Sequence, residues 1–359
     1  MEEEYVVETK KVEENKLEER KLIQFGKSAF CITLPHTWLK KNQIKKGDSI
    51  SVKETLRNSL EIMQTNVHSN GAQELTIDIT DKSTDEIIQL LLSTYLNGYV
   101  MITLVGPNAG KVAFVRKHVH EFIAAEIMEV TSNKIVVNIF WDIKTINLPA
   151  IIVRIGHITK SIFSETIELL DSGIDAKRSK KNDMTVEDIE TTIKDITEKG
   201  LEVQRQVLLA RRAIKYALQN SSAAHKFNLS SLELLYVSYI IYFFGMIGDY
   251  ILAIAQNIDK EKLDKIKNPK DQNAKKELKA LMLRASEYYG KVSDTYNKHN
   301  KLVKFVFSEY MDFEESIDEF RKKNPQTWVP LLAEYVKILI FKIKETEFIM
   351  ISMENAPKY

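Results

Sequence analysis

The chain has 359 residues, 44% of them apolar and 28% charged, with only 12 glycines and 7 prolines. That length exceeds one ordinary core and suits two to four domains, while so little glycine and proline suits a helix-rich globular protein without long flexible linkers. The single cysteine, Cys31, excludes an intrachain disulfide framework and a cysteine-based metal knuckle, and the net charge of +1 conceals a strong local imbalance.

Residues 1–19 hold eight glutamates and three lysines with no apolar run, which does not fit a secretory signal, so a cytoplasmic location is expected. Residues 20–53 reverse the sign. Arg20, Lys21, Lys27, Lys40, Lys41, Lys45, Lys46 and Lys53 stand against one acid, Asp48, for a net +7. An acidic arm therefore abuts a basic module and can partly mask it. Inside the module, residues 20–25 and 28–35 alternate in the strand period around a Gly26-Lys27 turn, which predicts a hairpin. Pro35 ends the second strand, residues 36–44 predict a short helix, and Lys46-Gly47-Asp48 turns the chain into strands at 50–54 and 60–64. So short a module buries little apolar surface alone, so a homodimer formed through residues 20–66 is expected.

Residues 70–142 predict a compact α/β unit of four strands (74–80, 99–106, 125–131 and 133–142) and two helices (84–98 and 111–123), with Gly98 as a C-cap. From Leu148 onward strand signals vanish and six long helical segments follow. In the second of them Ile189, Ile193, Ile196, Gly200, Val203, Val207, Ala210, Ile214 and Ala217 recur at spacings of four and three, the stripe of a helix in a near-antiparallel bundle. Val303, Val306, Tyr310, Phe313, Ile317 and Phe320 repeat that stripe in the fifth segment, and the breaks divide the region into two sets of three helices, an internal duplication. Residues 234–255, with Asp249 as their only charge, are long enough to cross a bilayer. A carboxylate is costly in hydrocarbon and the flanking amphipathic helices need a central partner, so a buried helix without membrane insertion is expected.

Catalytic signatures are lacking. Residues 106–111 look at first like a phosphate loop but lack one spacer residue and the hydroxyl after Lys111, which leaves a strand-to-helix turn. The seven histidines are dispersed, and His118 and His120, two apart on a helix, do not share a face. No nucleophile elbow, Cys/His pair or dinucleotide fingerprint occurs, so neither enzymatic activity nor a bound cofactor is expected.

Arg20-Lys21, Gly26-Lys27-Ser28, Leu34-Pro35, Trp38 and the Lys46-Gly47-Asp48 turn resemble the pattern of SpoVT/AbrB-type swapped-hairpin domains. The resemblance implies two interlocked chains that contact DNA through Arg20, Lys21, Lys27, Ser28, Lys40, Lys41, Lys45 and Lys46. His36 departs from it, since relatives usually carry lysine after the proline. Residues 95–99, 126–130, 148–155 and 202–205 with Arg212, and 247–249 followed by Ile254-Ala255, are similar to archaeal proteins that join this domain to PhoU. The α+β multidomain organisation so implied is an acidic arm (1–19), a swapped-hairpin DNA-binding and dimerisation module (20–66), a small α/β domain (67–145) and two PhoU-like three-helix repeats (146–258 and 270–355). Its implied function is DNA-binding regulation of phosphate uptake and homeostasis. The alternative is a protein that restrains a phosphate transporter ATPase or its sensor without touching DNA. PhoU repeats also bind divalent or iron ions through Glu-x-x-x-Asp pairs, of which Asp249, Glu314 and Asp318 remain. Gln204 and Gly245 replace expected carboxylates in the first repeat, and Lys342 and Thr346 do so in the second.

Overall fold

A computed structural model describes residues 18–54, 59–64, 73–107, 110–140, 142, 145–171, 173–174, 183–220, 223, 226–258, 269–298, 307–326 and 328–356. Most of the acidic arm, together with Val303 and Val306 of the expected fifth stripe, lies outside these residues. The protein is α+β, with small sheets first and a helical region after them, and divides into two units, Met1–Ser69 and Asn70–Lys358.

In the first unit β1 (Ile23–Phe25) and β2 (Ala29–Cys31) pair antiparallel, Ile23 opposite Cys31 and Phe25 opposite Ala29. Gly26 closes their turn at φ 73°, a left-handed conformation that side chains disfavour. The helix α1 (His36–Lys41) follows Pro35 and ends on Lys40 and Lys41, cations that suit the negative end of its dipole. The next turn is tied by the Lys45 backbone N–H donating to the Asp48 carboxylate at 2.7 Å. It leads to a second hairpin of β3 (Ile50–Glu54) and β4 (Leu60–Gln64), with Val52 opposite Ile62. Among the residues between 18 and 64 whose side chains are described, none is buried.

The second unit opens with a four-stranded sheet in the order β5-β6-β8-β7, built from β5 (Glu74–Asp78), β6 (Met101–Val105), β7 (Ala125–Thr131) and β8 (Lys134–Ile139). The first two strands are parallel and linked by α2 (Thr84–Leu96), while β8 runs antiparallel to both its neighbours. Ser83 and Glu86 start α2 with a reciprocal capping box, and Gly98 at φ 92° ends it, as its C-cap position predicts. The helix α3 (Val112–Val119) is shorter than the sequence suggests, because the chain tightens into turns closed by Glu121 on His118 and Phe122 on Val119. Ile79, Ile87, Leu91, Tyr95, Leu104, Val115, Ile135 and Val137 form this layer's core.

Six helices follow: α4 (Leu148–Asp171), α5 (Val186–Gln219), α6 (Ser231–Asn257), α7 (Pro269–Lys298), α8 (Phe307–Lys323) and α9 (Val329–Glu354). A two-residue parallel pair, β9 (Gly173–Ile174) and β10 (Asp183–Met184), lies between α4 and α5. Capping boxes at Thr185/Asp188 and Ser230/Glu233 start α5 and α6. The α5 stripe faces inward as its spacing predicts, with Ile189, Ile196, Val203, Val207, Ala210, Ile214 and Ala217 buried and Ile193 at the margin. The two sets of three helices share one core: α4 packs on α5, α6 and α7, α6 packs on α9, and a single buried cluster runs through all six. Among the described residues α6 is the one helix long and apolar enough to cross a membrane, and half of its most apolar stretch is buried.

Candidate nucleic-acid interface

The basic residues of the first unit fall into three groups set by its elements. Arg20 and Lys21 precede β1, with Arg20 paired to Glu18. Lys27 and Ser28 form the β1–β2 turn, at the other end of a three-residue strand. Lys40 and Lys41 close α1, and Lys45 and Lys46 enter the turn to β3. All eight residues are exposed. Among the described residues, Lys21, Lys27, Lys40, Lys41, Lys45 and Lys46 have no carboxylate partner, because the local acid, Asp48, is engaged by the Lys45 backbone N–H. Their charge is therefore open to an external anion.

The same unit leaves large apolar side chains uncovered. Phe25 is 72% and Phe30 66% exposed, and Leu22, Ile23, Ile32, Val52 and Leu60 are likewise open. Phe25 and Phe30 stand on opposite faces of the first hairpin, since neighbouring positions alternate across a strand. Both faces of that hairpin are thus apolar and bare in a single chain.

The acidic positions of the helical half have each acquired a partner within the chain. The Asp249 carboxylate, at the solvent edge of α6, accepts from the Gln204 side-chain amide at 2.7 Å. Partial burial raises its pKa above the ordinary value, and the Gln204 bond opposes that shift. Glu314 and Asp318, one turn apart on α8, converge on Lys337 of α9, whose ammonium lies 3.0 Å from Glu314 Oε1 and 3.3 Å from Asp318 Oδ1. Those contacts raise the Lys337 pKa, the Glu314 hydrogen bond contributing most. A lysine therefore stands where paired carboxylates would need a metal ion. Among the described residues no three His, Cys, Asp or Glu side chains are grouped to hold a metal, and Asp249, Glu314 and Asp318 do not fit one as they stand.

Lys111, the lysine of the loop that resembles a phosphate cradle, donates to the Ile79 carbonyl at 2.6 Å. Gly106 there is required by packing, since a Cβ would lie 2.7 Å from Thr80 Oγ1 and 3.0 Å from the Thr80 backbone nitrogen. Gly106 and Lys111 are thus both held against the end of β5.

Two buried charges have roles that spacing and composition do not reveal. Arg212 of α5 is fully buried and donates to the carbonyls of Tyr95 and Tyr99, the latter at 3.0 Å, around the end of α2. Its guanidinium also stacks 4.8 Å from the Tyr95 ring centre. Burial lowers its pKa to about 10, so it stays charged at neutral pH and braces the sheet layer against the helices. Glu347 of α9 is also buried and accepts from the Tyr288 hydroxyl of α7 at 2.7 Å. In the sequence it is a carboxylate at helical spacing among the apolar residues Ile340, Ile343 and Met350.

No protein-family model matches this chain, and no curated protein or solved structure matches it.

Proposed function

We propose that the chain is a dimeric, non-enzymatic, cytoplasmic DNA-binding regulator of phosphate uptake and homeostasis, in which residues 20–66 interlock with a second copy as a swapped hairpin and the helices form two PhoU-like repeats. The observation that carries the reading is the first unit: a net +7 segment with uncommitted lysines, whose first hairpin is bare of cover on both faces. Ordering each residue costs about 1–2 kcal/mol of backbone entropy, and a unit in which none of the described side chains is buried has little of its own to offset that, which favours a partner. The link to phosphate rests on the resemblance of the helical half alone.

Fluorescence anisotropy with duplex DNA tests the reading. Affinity should fall steeply with salt, and changing Lys40, Lys41, Lys45 and Lys46 together to Gln should flatten the slope of log K against log salt by about 0.9 for each DNA phosphate no longer neutralised. Base readout, if Arg20 and Ser28 provide it, should survive that change. An unchanged slope in the folded quadruple variant would move the DNA face elsewhere. Absence of binding at about 50 mM salt would favour the alternative, a protein that restrains a phosphate transporter ATPase or its sensor. On that side stand the exposed rings of Tyr239, Tyr242 and Phe348 on the helical half.

A further inference from the structure

Helix α6 is unusual on its outer side. A bundle helix ordinarily presents charge to water, but the outward positions of α6 over its first four turns are Leu235, Tyr239 and Tyr242, each more than two-fifths exposed, followed by Met246. Its neighbour α9 adds Phe341 and, two turns on, Phe348, which is 59% exposed. Cations thread these rings into one row across four helices. Arg211 of α5 lies 5.9 Å from the Tyr242 ring centre, and Tyr242 lies 5.8 Å from Phe243. Lys342 of α9 sits between Phe243 at 5.4 Å and Phe341 at 5.3 Å, and Lys344 between Phe341 at 5.1 Å and Tyr310 of α8 at 4.8 Å, where the row ends in the core because Tyr310 is buried. Among the described residues Arg211 and Lys342 have no carboxylate partner, while Lys344 is 3.6 Å from Glu345.

We propose that this α6/α9 face docks on an anionic membrane surface, with the rings at headgroup depth and Arg211 and Lys342 against lipid phosphates. Charge and composition select this occupant. A second copy seated face to face would crowd the cations Arg211 and Lys342 of both copies onto one interface. Tyrosine and phenylalanine rings carrying overlaid basic side chains match the interface of a bilayer, where the apolar body sinks and the charged tip reaches the phosphate layer. The other half of α6 is locked in the bundle core, so the helix lies on the bilayer and does not span it. Asp249, farther along the same outer stripe, marks where the face stops. This inference is independent of DNA binding, and its test is built to stay so.

The test uses full-length protein carrying Lys40, Lys41, Lys45 and Lys46→Gln, which lowers the N-terminal basic module from net +7 to +3 and so weakens its own attraction for anionic lipid. Co-sedimentation at about 0.1 M salt compares vesicles of phosphatidylcholine alone with vesicles containing equal parts of phosphatidylglycerol. Binding should favour the phosphatidylglycerol vesicles by about tenfold or more. Phe341→Ser with Phe348→Ser should weaken binding to them by about tenfold, and Arg211→Gln with Lys342→Gln should remove the lipid preference. Circular dichroism confirms the fold of each variant, and if the double phenylalanine variant unfolds, Phe348→Ser alone should give the same loss at smaller size. The proposal fails if neither vesicle is bound, if binding ignores these substitutions, or if the rings instead govern self-association in light scattering. Capture of an acidic protein through the same residues without vesicle binding would also overturn it.

Discussion

Arg212 holds a buried charge against two main-chain carbonyls, so its removal takes the donor from the Tyr99 carbonyl, leaves that of Tyr95 with the Gly98 N–H alone, and opens a cavity. Arg212→Met should cost roughly 2–4 kcal/mol by urea unfolding, and Arg212→Lys should recover only part of it, because one ammonium cannot reproduce the planar fork. A loss within error for Arg212→Met would show that the brace is ornamental. Lys275 on α7 gives a signed pH dependence. Burial lowers its pKa from 10.5 to about 8, opposed by Asp171 and assisted by Lys279. The folded state then binds fewer protons than the unfolded one, so this contribution to stability is complete above the unfolded value and is lost as pH falls through about 8. Unfolding free energies measured from pH 7 to 10 should rise more steeply in wild type than in Lys275→Met. The variant should gain about 1–2 kcal/mol at pH 7, a figure discounted for the partial exposure of the side chain.

Within α6, two glycines near the same packing face are expected to respond in opposite directions. A Cβ on Gly245 would lie 3.1 Å from Val207 Cγ2, on a β-branched side chain with little freedom to swing, whereas on Gly248 it would meet Val203 at an ordinary 3.4 Å. Gly245→Ala should therefore destabilise by about 1 kcal/mol, while Gly248→Ala should stabilise by roughly 0.5–1 kcal/mol from helix propensity. Thermal melts of the pair decide this, and equal signs would contradict the packing. Between α8 and α9, Lys337→Gln removes the ammonium shared by Glu314 and Asp318. A loss of about 0.5–1 kcal/mol is expected for so accessible a group. Divalent cations at about the millimolar level should raise the melting temperature of that variant more than that of wild type. A null response to the cation would mean that the two carboxylates separate once the lysine is gone.

Deleting residues 20–66 should leave a helical monomer that no longer dissociates on dilution, as measured by light scattering, whereas a dimeric product would deprive the first unit of its proposed role. The α5 stripe is readable in the sequence because helical spacing alone decides which positions turn inward, and the Gly26 and Gly98 turns because few other residues tolerate their φ. Pairings between helices are not. Asp249 can be expected to seek a polar partner, but spacing says nothing of which residue on α5 stands opposite, and Gln204 lies 45 positions away. Lys337 is hidden for the same reason, and so is the merging of two three-helix sets into one core through α4 against α7 and α6 against α9. The basic module is legible as charge, while the bareness of both hairpin faces emerges only from burial.

The Arg212 brace also has a consequence in time. Its acceptors at Tyr95 and Tyr99 are translated 117 and 113 residues ahead of the guanidinium they bind. At about 5–20 residues per second that lead is roughly 6–23 seconds, far longer than a small sheet and its helices need to form. The nascent α/β layer must therefore stand with the end of α2 still hydrated. It receives its internal cation only when the far end of α5 clears the ribosome, so the pace of translation sets when this docking can occur.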